Sequence, residues 1–438
     1  MSRSFFVHTA LSSAAVATVL LAGCDPICTN GVSKPGQGQV TRSASGTCVQ
    51  LVVTRPDAGE EDGGTDGGDG GALPDSGTDG GECGAVPGWT TRVLDEGIDI
   101  IIAAFVFDAQ GVGHYAYSKN SRLHVGTTRP GDVPVRVESV WTAYDVHMAV
   151  ATDGTHHVLF QQGNNVGYAQ DTGGVWRSQV LREGWAAAIT LDAQDAPHLL
   201  IGRPYPQVGY LHGTRSSTGS WDMAPLEAVG AKGDRERIAV DAAGYVHIVF
   251  VRMDDMGKSQ VVYASNTSGA WLAEPLDWRI PLSSPRYRIA LEVDSDGRPS
   301  VVGSDTQGAW LWTKEASGWT SYGLGAFLSR GPALSRSTAY PTLRHALLDD
   351  ADANADSSGS TSQLVVKVLD GTRAAGGTLP LTVETLDGGN AFPASSAVQL
   401  DAQDRLQVGF SYVHYYYPPD GGAMETTRGL RYARYCPR

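Results

Sequence analysis

The residues of this sequence best suited to chemistry recur at one spacing: an aspartate, a glycine three positions later and a histidine three positions after that. The clearest copy is Asp241, Gly244 and His247, which joins two apolar runs. A histidine beside a carboxylate could bind a metal ion or move a proton. The other copies are Asp108/Gly111/His114, Asp192/Asp195/His198, Asp294/Gly297/Ser300, Asp401/Asp404/Gln407, a weaker Ala151/Gly154/His157 and a faint one at His345.

Some copies lack the histidine, which indicates a structural role for the motif rather than a catalytic or metal-binding one. Ser300 and Gln407 stand where other copies have histidine, which a symmetric ring of metal ligands would not tolerate. Aspartate side chains bond their own backbone in tight turns, and glycine supplies positive φ there. We therefore interpret the aspartates as turn residues, and the histidines as buried groups that use their polar tips between repeats.

An aromatic cluster is a candidate ligand site. His414, Tyr415, Tyr416 and Tyr417 precede two prolines, and Tyr205 lies in another irregular segment. Such rings could stack on a sugar or a peptide. The alternative is a set of ordinary strand aromatics followed by a proline turn.

An acidic stretch is a candidate calcium site. Asp350, Asp352, Asn354 and Asp356 place oxygen side chains at alternate positions, as calcium loops do. The stretch lacks the turn glycine and the terminal glutamate of an EF-hand, so a solvated acidic loop is the alternative. We predict no cofactor other than this possible calcium.

The repeats indicate what positions these residues. The seventh positions of the units are 114, 157, 198, 247, 300, 345 and 407. Periods of about 40–50 residues are typical of propeller blades or solenoid repeats. Most units continue with a strand bearing Tyr168, Tyr210, Tyr263 or Trp310, then a glycine turn and a strand that opens with tryptophan. Four short strands per unit predict an all-β fold, a single β-propeller of seven four-stranded blades. Six blades are the runner-up, because the unit at 331–386 is degenerate.

The ends of the predicted domain indicate ring closure. The last repeat stops at its third strand, 428–435, while an additional tryptophan strand, 88–94, precedes the first repeat. We expect the N-terminal strand to complete the last blade, which protects both sheet edges. Cys83 and Cys436 flank these strands, and a bridge between them would lock the ring. Other cysteine pairings stay possible.

On the D-x-x-G-x-x-H motif, residues 88–436 resemble the blades of bacterial lipid-anchored β-propeller repeat proteins. More distantly, the chain is similar to sialidase-like and lectin propellers. It departs from sialidases, because no unit carries the S-x-D-x-G-x-x-W box. The resemblance therefore implies a surface propeller, and it does not imply sialidase activity.

The N-terminal part predicts export. Residues 1–23 are typical of a lipoprotein signal peptide, and Leu21-Ala22-Gly23-Cys24 matches the lipobox, which makes Cys24 the lipidated residue. Residues 24–56 form a segment in which Cys28 and Cys48 close a small loop. Residues 57–82 form an acidic, glycine-rich linker before the propeller at 83–438. We expect a cell-envelope protein anchored in the inner or outer membrane, with its domain in the periplasm or on the cell surface.

Charge and variability narrow the function. The net charge of −14 argues against nucleic acid as a partner. We also expect the protein to be a monomer. In an up-and-down blade the irregular segments 202–207, 252–259, 349–362 and 415–425 share one end. Variation at one end of a rigid scaffold favours binding there. We therefore expect a non-catalytic recognition module for a glycan or an envelope protein. A carbohydrate-active lyase or hydrolase and an envelope-complex scaffold are the alternatives.

Overall fold

The structure is a computed structural model, and the chain divides into two compact units, Met1–Asp66 and Gly67–Arg438. The boundary lies inside the predicted linker, 57–82. In the first unit the described residues form one hairpin, β1 (Val40–Arg42) with β2 (Cys48–Gln50). The residues described in all are 40–42, 48–50, 88–97, 99–137, 140, 143–204, 207, 209–216, 218–226, 233–253, 259–280, 289–305, 308–325, 334–336, 344–350, 363–370, 378–382, 390–400, 406–416 and 425–436.

The second unit is all-β over its described residues, whose strands form seven four-stranded antiparallel sheets. Sheet 1 contains β4 (Ile100–Phe107), β5 (Gly113–Lys119), β6 (Arg122–Thr127) and β7 (Val135–Arg136). Sheet 2 contains β8 (Tyr144–Val150), β9 (His156–Gln162), β10 (Asn165–Thr172) and β11 (Val175–Glu183). Sheet 3 contains β12 (Trp185–Leu191), β13 (Pro197–Gly202), β14 (Tyr210–Arg215) and β15 (Trp221–Pro225). Sheet 4 contains β16 (Gly233–Val240), β17 (Val246–Met253), β18 (Ser259–Ser265) and β19 (Leu272–Ile280).

The remaining three sheets follow the same up-and-down order. Sheet 5 contains β20 (Ile289–Val293), β21 (Pro299–Asp305), β22 (Gly308–Glu315) and β23 (Gly318–Gly325). Sheet 6 contains β24 (Leu334–Arg336), β25 (Arg344–Asp350), β26 (Gln363–Asp370) and β27 (Thr378–Thr382). Sheet 7 contains β28 (Asn390–Leu400), β29 (Leu406–Tyr416), β30 (Glu425–Cys436) and β3 (Gly88–Gly97). The degenerate unit thus has a sheet of its own. Counting each sheet as a blade gives seven, which we keep as the predicted blade number.

The first strands of the sheets make a closed circuit. Each first strand packs against the first strand of the next sheet, from β4 through β8, β12, β16, β20 and β24 to β28. Strand β28 then packs against β4, which brings the circuit back to its start. The domain is a β-propeller.

The N-terminal strand closes the ring, as the sequence predicts. Strand β3 is the outer strand of sheet 7, where Trp89 lies opposite Tyr435 and Gly88 opposite Cys436. The Trp89 and Tyr435 rings lie 5.3 Å apart. Cys436 is buried and disulfide-bonded. Cys83 is outside the described residues, so the Cys83–Cys436 pairing stays a prediction.

Glycine opposite an aromatic ring is a recurrent packing element of the sheets. Phe160 lies directly opposite Gly167 on the next strand, and a Cβ on that glycine would come 2.4 Å from the ring. The ring therefore occupies the space over the glycine backbone, which buries apolar surface without a void. The same arrangement recurs at Tyr115/Gly126, Trp185/Gly202 and Tyr412/Gly429.

Candidate recognition surface

The ring has two ends, which the strand order defines. At the turn end, tight turns join first to second and third to fourth strands, as at Asp241–Gly244 and Asn266–Gly269. At the opposite end the second strand connects to the third and one sheet leads to the next. We call this the bulge end, because the pairing of the first strand with the second shifts near the start of the first strand in sheets 1, 2, 3, 4 and 7.

Each aspartate at the turn end holds its turn with one carboxylate oxygen. In sheet 4, Asp241 Oδ1 accepts hydrogen bonds from the backbone N–H groups of Ala243 at 2.9 Å and Tyr245 at 2.8 Å. Gly244, at φ 85°, donates its N–H to the carbonyl of Asp241. Asp108, Asp192 and Asp294 accept the same pair of backbone bonds in their own turns. The prediction that these aspartates are turn residues is therefore confirmed for the described copies.

The second carboxylate oxygen reaches the repeated histidine. Oδ2 lies 3.0 Å from Nε2 of the histidine in the pair Asp108–His114 and 3.2 Å in Asp241–His247. In Asp192–His198 the distance is 3.4 Å. These histidines are nearly inaccessible, with His247 0% and His114 2% exposed. The carboxylate therefore fixes the orientation of a buried ring.

The other ring nitrogen finds its partner diagonally across the next strand. His247 Nδ1 lies 2.6 Å from the Tyr263 hydroxyl, and His157 Nδ1 lies 2.7 Å from the Tyr168 hydroxyl. Each partner stands two residues before the one directly opposite the histidine. In sheet 3 this diagonal position holds His212, whose Nε2 lies 3.0 Å from His198 Nδ1. Tyr210 lies on the third strand of this sheet, as the sequence predicts, but at the bulge end of that strand.

Sheet 1 differs, because an aliphatic residue occupies the diagonal position. Thr127 lies opposite His114, so Val125 stands where sheets 2, 3 and 4 have a tyrosine or histidine. His114 instead turns Nδ1 to Nε2 of His156 in sheet 2, at 2.8 Å. Of the repeated histidines with described side chains, only this one has a hydrogen bond to another sheet. The prediction that these histidines bond between blades is therefore wrong for the others, whose bonds lie within one sheet.

The repeated tryptophans connect neighbouring sheets. Tyr168 of sheet 2 packs edge-on against Trp221 of sheet 3 with ring centroids 4.9 Å apart. Arg215 lies over both rings and donates to Gln170 at 2.6 Å. Between sheets 4 and 5 the same arrangement is built from Tyr263, Trp319 and Lys314, which pairs with Glu274. The aromatic and histidine residues of the turn end thus form a supporting layer, which connects sheet 2 to sheet 3 and sheet 4 to sheet 5.

Burial shifts the pKa values of four side chains in this layer. Desolvation lowers the pKa of His157 to about 4 and that of His212 to about 4. It also raises the pKa values of Tyr168 and Tyr263 to about 12. Near neutral pH these four side chains are uncharged, which suits groups that hold sheets together.

The bulge end is built differently, as the start of sheet 3 shows. Gly184, at φ 151°, leads into β12, and a Cβ there would come 2.5 Å from the carbonyl oxygen of Gly202. Gln161 of sheet 2 fixes this entry, because its side chain donates to the Gly184 carbonyl and accepts from the Ala186 N–H, both at 2.9 Å. Trp185 is held between these two bonded residues and stays partly exposed.

Trp185 belongs to an aromatic and acidic group at the junction of sheets 3 and 4. It lies opposite Gly202, which in turn lies opposite Tyr210, so the side chains of Trp185 and Tyr210 share one face. A Cβ on Gly202 would come 1.7 Å from the Trp185 ring, so the ring covers that backbone. Tyr210 donates its hydroxyl proton to Glu236 of sheet 4, a carboxylate only 7% exposed.

Two further tyrosines bond carboxylates near the junction of sheets 7 and 1. Tyr117 donates to Asp95, which also pairs with Lys119 at 2.8 Å. Burial raises the pKa of Asp95, but the bonds from Lys119 and Tyr117 outweigh it, so the pKa is lowered overall. Tyr412 donates to Glu96 at 2.8 Å. Tyrosine hydroxyls thus bond carboxylates at this end and histidines at the turn end.

The structure places the predicted aromatic cluster only in part. His414, Tyr415 and Tyr416 lie in the last residues of β29, opposite the start of β28, on strand rather than in an irregular segment. Strand direction puts them at the bulge end. Tyr417 and Tyr205 are outside the described residues, although the connection that contains Tyr205 begins at Gly202, against Trp185.

The remaining predicted sites lie mostly beyond the described residues. Asp350 is the last residue of β25, and Cys48 is the first residue of β2. Cys24, Cys28, Asp352, Asn354 and Asp356 fall outside, so lipidation, the Cys28–Cys48 loop and calcium binding stay predictions. Within the described ranges, no group of three His, Cys, Asp or Glu residues could hold a metal ion. The same ranges contain no helix long and apolar enough to cross a bilayer.

Sequence reasoning missed Trp185, Tyr210 and Glu236 as a group. Trp185 follows a glycine at the start of a first strand, a place where other units carry no tryptophan, and this difference was the available signal. Glu236 gave none, because its position depends on a bulge in β16.

Comparisons with known proteins show no family for this chain. No protein-family model matches the chain, and no curated protein matches it. Solved structures do match, among them an inactive variant of virginiamycin B lyase from Staphylococcus aureus with quinupristin, at TM-score 0.44 and 11% identity over 80% of this chain and 100% of that one. An ulvan lyase matches at TM-score 0.48 and 9% identity over 73% and 93%. YCF48 bound to D1 peptide matches at TM-score 0.44 and 12% identity over 80% and 96%. These neighbours include both lyases and a peptide-bound protein, and identities this low carry no activity to this chain.

Proposed function

We propose that the propeller is a recognition module that binds a glycan at its bulge end, at a site centred on Trp185. The observation that carries this proposal is the partly exposed side chain of Trp185. The backbone on both sides of Trp185 is hydrogen-bonded by Gln161. A ring held in one orientation loses little conformational entropy when a ligand stacks on it. Apolar surface with a few placed polar groups is typical of small-ligand sites.

Polar groups near Trp185 favour a sugar as the ligand. Glu236 is buried with the Tyr210 hydroxyl, and Arg203 donates to Gln207 at 3.3 Å in the connection between β13 and β14. A sugar ring has an apolar C–H face, which can stack on an indole. Its hydroxyls can bond carboxylate, guanidinium and amide groups beside that indole.

The test is a glycan array probed with the full chain and with two aromatic variants. We expect Trp185→Ala to weaken binding at least about tenfold, the loss of about 1.4 kcal/mol. Tyr245→Ala is the matched control, because Tyr245 is 40% exposed but lies at the turn end, and it should bind as the parent does. Equal binding by parent and Trp185→Ala would reject this site.

A carbohydrate-active enzyme is the second candidate, and the Tyr210–Glu236 pair favours it. A tyrosine and a carboxylate within hydrogen-bond distance could act as an acid–base pair. Reducing-sugar and unsaturated-uronate assays on array-positive glycans decide between the two functions. If the parent releases product and Glu236→Gln does not, the protein is an enzyme and the binding-only proposal is rejected. Silence in arrays and assays would favour an envelope scaffold.

We further propose that Cys24 is lipidated and displays the module at the cell envelope through the 57–82 linker. The support is the lipobox and the acidic, glycine-rich composition of the linker. Growth with a radiolabelled fatty acid should label the parent and not Cys24→Ser. Mass spectrometry of the unreduced protein should show Cys28–Cys48 and Cys83–Cys436 bridges, and a label retained on Cys24→Ser would refute the anchor.

A further inference from the structure

Four side chains form an unbroken hydrogen-bonded row across the junction of sheets 1 and 2. Asp108 Oδ2 lies 3.0 Å from His114 Nε2, and His114 Nδ1 lies 2.8 Å from His156 Nε2. His156 Nδ1 lies 3.1 Å from Asp171 Oδ2, and Asp171 Oδ1 accepts the backbone N–H of His156 at 2.6 Å. All four side chains are at least four-fifths buried.

The row requires three protons between four groups. An ionised carboxylate only accepts, so each terminal aspartate needs a proton on the histidine nitrogen that faces it. Those two protons are all that two neutral imidazoles carry. His114 Nδ1 and His156 Nε2 would then face each other at 2.8 Å with two lone pairs and no proton. A third proton removes this repulsion, and it makes one ring an imidazolium.

A second histidine pair in the same protein shows what the extra carboxylate does. His198 Nδ1 faces His212 Nε2 at 3.0 Å, and Asp192 accepts from His198 at its far side. Asp222 acts on His212 through its charge, but among the described contacts no carboxylate is hydrogen-bonded to His212 as Asp171 is to His156. His212 can therefore donate through Nε2 as a neutral ring, and burial lowers its pKa to about 4. Two protons satisfy that pair.

The two histidines of the row have different surroundings. Burial lowers the pKa of His114, the neighbouring His156 and Arg129 act in the same direction, and Asp108 opposes them. His156 has Asp171 against both its ring and its backbone, and it stacks on Trp176 with centroids 6.0 Å apart. One imidazolium beside one neutral imidazole satisfies every bond in the row.

We propose that the His114–His156 pair stores one proton on folding and makes the junction of sheets 1 and 2 a pH-sensitive link. Above about pH 6.5 the unfolded chain holds two neutral imidazoles, so the folded state binds one proton more. Stability then falls as pH rises, since the unfolded state binds fewer protons. The link is intact in acid and weakens when the pair loses its shared proton.

Asp171→Asn is the decisive variant, because asparagine keeps the shape and changes the proton count. Its amide oxygen still accepts the His156 backbone N–H, and its NH₂ donates to His156 Nδ1. Two neutral histidines then satisfy the row. Asp192→Asn, the same change beside the neutral pair, is the matched control.

The experiment is denaturant unfolding of the full chain and both variants from about pH 6.5 to about pH 8.5. We expect the unfolding equilibrium constant of the parent to rise relative to that of Asp171→Asn by up to about tenfold per pH unit. Asp192→Asn should follow the parent. An identical pH dependence in parent and Asp171→Asn overturns the proposal.

A second measurement does not depend on the variants folding. Nitrogen-15 NMR of the parent labelled at histidine distinguishes protonated from unprotonated ring nitrogens. At about pH 7, where a free histidine is mostly neutral, we expect one buried histidine with both nitrogens protonated. A neutral pattern for every buried histidine overturns the proposal.

Discussion

Replacing Ala151 by aspartate tests whether the turn-end network stabilises the ring as described. The sheet 2 turn has the same backbone bonds as its neighbours, with Gly154 N–H donating to the Ala151 carbonyl at 2.9 Å. Only the carboxylate is missing. His157 stands where the other turns place their histidine, and it is 3% exposed. Aspartate at 151 should therefore supply a partner for a buried ring.

The expected stabilisation can be estimated from the hydrogen bonds that aspartate makes in the other turns. Asp241 accepts two backbone N–H groups and one histidine nitrogen. In sheet 2, Thr155 N–H already bonds Asp153 Oδ1 at 2.9 Å, so the new carboxylate adds one backbone bond and one histidine contact. Hydrogen bonds to charged groups contribute roughly 1.5–3 kcal/mol each, and burying the carboxylate offsets part of this. We expect Ala151→Asp to stabilise the domain by about 1–2 kcal/mol.

The assay compares Ala151→Asp with Ala151→Asn by urea unfolding at two pH values. Burial, with a smaller contribution from Arg215, holds the pKa of His157 at about 4. The stability that a neutral His157 provides is complete above about pH 6.5 and is lost as pH falls towards 4. A carboxylate raises that pKa and asparagine does not. The advantage of aspartate over asparagine should therefore grow between about pH 7.5 and about pH 5.

Two results would refute this reasoning. The first is an Ala151→Asp variant no more stable than the parent. The second is a constant difference between the aspartate and asparagine variants at both pH values, which would mean that the carboxylate does not act on His157.

Three further outcomes are expected from the described contacts. Tyr168→Phe removes the hydroxyl that bonds buried His157 and should lower the free energy of unfolding by about 1–3 kcal/mol. The control Tyr245→Phe, at an exposed position, should change it by less than about 0.5 kcal/mol, and equal losses in urea unfolding would contradict this. His157→Gln should flatten the loss of stability between about pH 6.5 and about pH 4, worth up to about 3 kcal/mol in the parent. Gly202→Ala forces a Cβ into the Trp185 ring and should cost more than about 2 kcal/mol, largely recovered in the double variant with Trp185→Ala; a double variant less stable than Gly202→Ala alone would speak against the overlap.

Sequence patterns predicted what depends on neighbours along the chain. The bonds from Asp241 to Ala243 and Tyr245 span four residues, so the D-x-x-G spacing is enough to infer the turn. The closing strand was also readable, because an unpaired tryptophan strand at one end matched a missing strand at the other.

Partners fixed by register or by the next sheet could not be read in the same way. His114 and His157 occupy the same motif position, yet one bonds His156 and the other Tyr168, because Val125 replaces a polar residue on the third strand. Glu236 reaches Tyr210 through a bulge, which no local pattern announced. These contacts depend on strand alignment between segments distant in sequence.

Closure by β3 has a consequence for how the domain forms. Trp89 is among the first residues of the ring to be synthesised, and its partner Tyr435 is among the last. Sheet 7 therefore cannot be completed until nearly the whole chain exists, and contacts of such long range slow folding. An interrupted chain would present the free edge of β3 to other strands. The ring therefore closes only when synthesis is nearly complete. Fragments that lack β30 should aggregate more readily than the full-length chain, because the edge of β3 stays exposed.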